Sequence, residues 1–223
     1  MSSFLAFPVE FIPFVLLVLM ISLSVHEFAH AYSADKFGDP TPRSMGRVTL
    51  NPMRHLDVFG TLLFVVVGFG WAKPVLVNPS KFRKPRLMNA IVSVLGPISN
   101  LILGFIGMVI LYVMLNTGVM NSWSKGASDA VMVFLTLFYN LNILLFILNL
   151  IPIPPLDGYR ILESILPPRI MAKIRPYEQW TVYILLLLVF IPPLYKVTLG
   201  PIFSLTIPIT HMFEMIIRAI FPF

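Results

Sequence analysis

Two histidines four residues apart, His26 and His30, with Glu27 between them, form the pattern HExxH near the end of an apolar run. On a helix, positions i and i+4 share a face, so both imidazoles can hold one zinc ion while the glutamate serves as base for its water. Five-residue patterns of this kind also arise in ordinary amphipathic helices. Here the surroundings are apolar, and between Phe11 and Ala34 the one fully charged side chain is Glu27. Ionisable groups at membrane depth are costly, and a buried carboxylate there needs a partner such as metal or water. The pattern therefore points to hydrolytic zinc chemistry inside a bilayer.

The elements that must position these residues follow from composition. Of 223 residues 57% are hydrophobic and 12% charged, and several apolar runs reach roughly 20 residues, enough to cross the hydrocarbon. This predicts an all-α polytopic membrane protein, with residues 1–223 as a single integral-membrane domain. The absence of cysteine excludes disulfides and thiol catalysis. The N-terminus lacks the basic region and small-residue cleavage site of a signal peptide, so the first apolar run is expected to stay as a helix. A net charge of +6 reads as anchoring to membrane lipids rather than nucleic-acid binding, since no soluble basic domain is present to carry a groove.

Helices are expected at about residues 9–34, 87–116, 128–151 and 178–195. A last apolar segment, about 202–221, is interrupted by Pro208 and carries His211, Glu214 and Arg218; it either spans or lies in the interface. The expectation is thus a bundle of about four to six transmembrane helices. Residues 58–80 differ, because only Val58 to Gly70 is apolar before Trp71, Ala72 and Lys73. Their β-branched content and the pair Gly68 and Gly70 predict a re-entrant β-hairpin between the first two helices.

Charge supports this layout. Most of the 16 Lys and Arg residues fall in the segments Lys36 to Arg54, Lys73 to Arg86 and Arg160 to Arg175, which share one side if residues 58–80 do not cross. The positive-inside rule makes that side cytoplasmic and places the active site near it. A third metal ligand is still needed, because a catalytic zinc commonly has three protein ligands and an open position. Asp157, before Gly158 and after prolines 152, 154 and 155, sits where a turn can aim its carboxylate back to the depth of His26 and His30. Alone, that motif reads first as an ordinary Asp-Gly turn at a membrane surface; paired with the HEFAH helix at the same depth, it reads as the third ligand.

HEFAH together with Leu156-Asp157-Gly158 resembles the two signatures of the site-2 proteases, zinc metalloproteases that cut substrates within the membrane. GRVTLNPMRHLD (46–57), GWAKPVLVN (70–78) and GPISN (96–100) are similar to the small, single-domain bacterial members. No PDZ insertion is expected. The resemblance implies one zinc held by His26, His30 and Asp157, with Glu27 as base, in a multi-pass protein of the bacterial cell membrane. The substrate it implies is a single-span membrane protein. Asn149 matches a family asparagine that holds substrate or the developing oxyanion, and a primary amide there could donate a hydrogen bond to a tetrahedral intermediate, worth roughly 3 kcal/mol. Helix-to-helix hydrogen bonding is the alternative for Asn149, and the expected role of Asn100, Asn140 and Asn142.

The remaining polar residues are read more plainly. His55 and Asp57 are expected to pin the loop near the mouth of the site; His211, with no acidic or histidine neighbour at ligand spacing, to pack at the interface; Glu163 to pair with a loop arginine. Trp71, Tyr177 and Trp180 read as interfacial anchors. Val75 to Val77 offers an edge with which an extended substrate could pair, limited to a few bonds by Pro74 and Pro79. The rival function is a metal transporter or non-catalytic membrane scaffold. It would string further ligands along a pore, and the helices near 87–116 and 178–195 have no His, Asp or Glu in their interiors.

Overall fold

The computed structural model describes residues 7–68 and 70–222. Its helices, in chain order, are α1 (Ile12–Lys36), α2 (Thr41–Ser44), α3 (Val58–Val67), α4 (Pro85–Thr117), α5 (Lys125–Asn149) and α6 (Asp157–Ile165). They are followed by α7 (Pro168–Ile174), α8 (Glu178–Phe190), α9 (Pro192–Val197), α10 (Leu199–Phe203) and α11 (Thr206–Ile220). Among the described residues four stretches are long and apolar enough to cross a membrane: Val9–Lys36, Pro85–Thr117, Lys125–Asn149 and Leu199–Ile220. Multi-pass membrane insertion follows, since such helices satisfy their own backbone and expose apolar side chains to lipid. The first three match the expected spans within a few residues.

The fourth expected span does not form as one helix. Helix α8 stops at Phe190, and Ile191 adopts φ −97°, ψ 104° ahead of Pro192 and Pro193. Neither proline can donate to the preceding turn, and the ring of Pro192 pushes Ile191 out of the helical region. The 22-residue apolar stretch lies further on, at Leu199–Ile220, in the segment left undecided from sequence, where α10 and α11 follow one another across a turn at Ser204 and Leu205.

The expected β-hairpin is also corrected: no strand occurs among the described residues, and Val58–Val67 is a helix. Asp57 caps its start by accepting from the Gly60 N–H at 2.8 Å, and Gly68 ends it at φ 80°. A left-handed residue of that kind suits glycine, which has no Cβ to clash. At ten residues the helix is about 15 Å long, too short to cross. The chain then returns as an extended segment, residues 70–78, which meets the outgoing loop through an isolated antiparallel bridge between Leu56 and Ala72. Gly60 and Gly70 face each other so closely that a Cβ on either would overlap the other strand of chain. Phe69 lies outside the described residues. Valine-rich composition lost here to capping and to the need of apolar-embedded backbone to bond internally.

Helix α4 is the hub, packing against α5, α1 and α6. Val15, Val18 and Leu19 of α1 bury against Phe138 and Leu141 of α5 and Phe64 of α3, while α11 closes on α4 and α5 through Phe213 and Ile217. Short α6 is tied at both ends. The Arg86 guanidinium of α4 donates to the carbonyls of Ser164, Ile165 and Leu166 at 2.9, 2.8 and 2.6 Å, satisfying orphan acceptors at the helix C-terminus. The Tyr159 hydroxyl donates to Glu178 of α8.

Candidate active site

Helix α1 presents His26, Glu27 and His30 toward α4 and α6, and all three are buried. Asp157, the first residue of α6, comes to meet them because Gly158 packs directly on the carbonyls of Leu150 and Ile151, where a Cβ would overlap. Asp157 Oδ2 lies 3.0 Å from His26 Nε2 and 3.2 Å from His30 Nε2, and the two Nε2 atoms are 3.0 Å apart. Three side chains distant in sequence thus converge on one point.

The outer contacts decide what that point can hold. His26 Nδ1 lies 2.6 Å from Asn100 Oδ1, and His30 Nδ1 lies 2.8 Å from the Val92 carbonyl. The oxygen assignment at Asn100 follows from its own amide nitrogen, which donates to Asn142 Oδ1 at 2.9 Å and to the Ser22 carbonyl at 3.2 Å. Each Nδ1 therefore carries the proton, and each Nε2 turns a lone pair inward. Two lone pairs and a carboxylate oxygen facing one another in a buried site repel unless a cation sits among them. A tetrahedral ion with bonds of about 2.0–2.1 Å spaces its ligand atoms about 3.3 Å apart, close to the separations present. Gly96 of α4 leaves the room: a Cβ there would overlap the His30 imidazole and press on that of His26. The residues fit a divalent metal with nitrogen and oxygen ligands.

Glu27 points differently from its neighbours. Its Oε2 accepts from the Val75 N–H at 2.9 Å, so the extended segment 70–78 roofs the carboxylate. A cavity of about 220 Å³ opens beside it, lined by the three converging residues, Glu27, Trp71 and Asn149. Asn149 is half-buried on its wall, with its amide donating to the Leu145 carbonyl at 3.0 Å. That bond uses one of two amide protons and leaves one for a ligand.

The other residues singled out from sequence fall elsewhere. His55 is fully buried and its Nε2 meets the Thr49 carbonyl at 2.7 Å; with Asp57 capping α3, both hold the loop and neither joins the converging group. Glu163 pairs with Arg175 at 2.8 Å, as expected. His211 does have an acidic neighbour, Glu214 at 3.8 Å one helical turn on, correcting the sequence reading. Asn100 and Asn142 bond between helices, whereas exposed Asn140 donates to Thr136 of its own helix at 2.9 Å. Trp71, Tyr177 and Trp180 are exposed, and Trp71 also lines the cavity beside Glu27. Sequence reasoning missed the second role of Asn100, which orients His26, and the role of Gly96. Their spacing of four within GPISN, on one face of α4, was the available signal.

Comparison with known proteins agrees with this geometry. Residues 14–192 match the model of Peptidase family M50. The chain is 45% identical over 206 residues to "Putative zinc metalloprotease YwhC" of Bacillus subtilis, covering 92% of each chain. It is 29% identical over 195 residues to "Putative zinc metalloprotease Rip2" of Mycolicibacterium smegmatis, covering 84% of this chain and 71% of that one. With the protein of the same description from Mycobacterium tuberculosis it shares 31% over 179 residues, 78% of this chain and 66% of the other. No solved structure matches. A family match over most of the length, on a chain whose HExxH histidines meet a distant aspartate, places this protein in Peptidase family M50.

Proposed function

We propose that the chain is an intramembrane zinc metalloendopeptidase that hydrolyses peptide bonds of single-span membrane proteins, with His26, His30 and Asp157 holding one zinc ion. The observation that carries this reading is the convergence of three acceptor atoms beside Glu27, on a helix long and apolar enough to span a membrane. Bound there, zinc supplies Lewis-acid polarisation of the scissile carbonyl and acidifies a water toward a pKa of about 7. Two neutral imidazoles and one carboxylate leave the ion one net positive charge, which favours that role.

Glu27 then acts as proton carrier. It takes a proton from the attacking water and delivers it to the leaving amine, while the Val75 N–H holds one carboxylate oxygen in place. Asn149, from the cavity wall, directs its free amide proton to the oxygen that develops negative charge. The substrate must arrive unwound, because helical hydrogen bonds hide its backbone. The Val75 N–H is occupied by Glu27, so pairing with an extended substrate falls to Leu76 and Val77. Basic loops around α2 and between α6 and α8 orient the site toward the cytoplasm of a bacterial cell, and the relatives named above are bacterial.

The test separates chemistry from metal binding. Glu27→Gln keeps size and both histidines but removes the proton acceptor. Cleavage of single-span substrates in reconstituted membranes should fall by a factor on the order of 10² or more, with zinc content by metal analysis unchanged. In cells, uncut single-span proteins should accumulate in the variant's membrane proteome. An active Glu27→Gln protein with zinc bound refutes the assignment of the base.

A further inference from the structure

Arg47 has no place in the metal site, yet its side chain is buried at 5% exposure. Among the described residues no carboxylate forms an ion pair with it. Its Nη1 donates to the Arg54 carbonyl, its Nη2 to the Lys73 carbonyl, and its buried Nε has no hydrogen-bond partner among the described residues. Burying a guanidinium is costly without compensation, and its rigid fork supplies it, since a planar pair of donors can close two carbonyls at once. Those two carbonyls belong to the chain entering α3 and the chain leaving it.

The consequence runs along the leaving chain. The Lys73 N–H donates to the His55 carbonyl at 2.7 Å, and Leu56 bridges to Ala72. Two residues past Lys73, the Val75 N–H holds Glu27 at 2.9 Å. Three further on, the Asn78 N–H donates at 2.6 Å to Asp39, which is fully buried. Segment 70–78 is therefore a strap with a fixed far end at Asp39 and a near end fastened by Arg47. Pro74 between the fastening and Val75 has no N–H to add another bond and stiffens the link by fixing φ.

We propose that Arg47 is a positioning residue that sets the height of the 70–78 strap and so aims Glu27 through the Val75 N–H. This rests on the reading of Glu27 as the base. It differs from a general structural role because the fastening should be replaceable by any other link between the two chains.

The chain contains no cysteine, so Leu56→Cys with Ala72→Cys introduces a single thiol pair at bridged positions, where Cβ atoms lie about 4.5–5.5 Å apart, near disulfide range. Zinc-loaded protein carrying this pair, with and without Arg47→Ala, is compared in reduced and oxidised forms. Reduced Arg47→Ala should keep its zinc, exchange amide hydrogens in residues 70–78 about tenfold faster, and lose about 10- to 100-fold in kcat from misplaced chemistry. Oxidation should restore both exchange and kcat to the oxidised parent's values. Unchanged exchange in reduced Arg47→Ala overturns the proposal, as does oxidation that restores exchange and leaves kcat low. If Arg47→Ala does not fold with zinc, Arg47→Lys takes its place; it keeps the charge but not the fork, and wild-type exchange and kcat in that variant overturn the proposal. If the unmodified protein cleaves no single-span substrate, the base reading falls, while the exchange comparison still decides whether Arg47 fastens the strap.

Discussion

His26 and Glu27 are adjacent in sequence, yet they are held by opposite kinds of structure. His26 is gripped by side chains on helices: Asn100 of α4 behind it, Asn142 of α5 and Ser22 of α1 behind that, all fully buried. Glu27 is gripped by a backbone N–H on a segment with no regular structure. The metal half is pre-organised by packed helices, whose backbones bond internally except where Pro97 interrupts the ladder of α4. The Glu27 side depends on a strap fastened at a few points, the Lys73, Val75 and Asn78 backbone groups.

The sharpest way to break this comparison is at the metal half. Asp157→Ala leaves two imidazole lone pairs with no third ligand, so purified protein should lose most of its zinc, about one ion per chain, and with it all measurable cleavage; His26→Ala and His30→Ala should do the same. Metal analysis and cleavage in one preparation check this, and zinc retained by the Asp157 variant would remove that residue from the ligand set. A smaller effect should come from Asn100→Ala, which keeps every ligand but frees His26 Nδ1. Loss of such an outer partner typically costs 10–100-fold in metal affinity or activity, measurable by competition with a chelator. Wild-type affinity in that variant would mean the helical network does not orient His26.

The smallest effect belongs to the strap side and is read in pH. Burial chiefly, with Arg47 assisting and the Thr49 carbonyl opposing, pushes His55 below the usual histidine range. A depressed folded value means that protonation favours the opened loop. The stabilisation is complete above the unfolded value of about 6.5 and is lost as pH falls through the lower folded one. Relative to His55→Gln at each pH, the wild-type strap should gain amide exchange by a few-fold as pH drops below about 6.5. Equal pH dependence in the two proteins would show that His55 does not titrate with the loop.

The same division explains what could be read without coordinates. The convergence of the metal half was legible because residues spaced i, i+4 on a helix share a face, and because an aspartate in a turn after a proline-ended helix falls at the same depth; each motif alone was ambiguous, and the pair was not. The outer grip of Asn100 was half legible, since a buried asparagine in a membrane helix was expected to bond a neighbouring helix, but which neighbour depends on rotation of α4 against α1. Around α3 the reading failed for a reason visible afterwards. VFGTLLFVVV has strand composition, while Asp57 before it and Gly68 after it are helix punctuation, and the caps decided. The break at Pro192 was open to the same kind of reading. Arg47 was not, because a charge in a basic loop looks solvated until two carbonyls close on it.

Gly96 gives the metal half one more property. All donors at the centre come from elsewhere, so this residue contributes nothing to the ion except emptiness, and a single added methyl would fill the hollow without deleting any donor. Coordination here is thus as much a matter of vacancy as of chemistry: the helix crossing between α1 and α4 is a mould whose missing atom defines the cast.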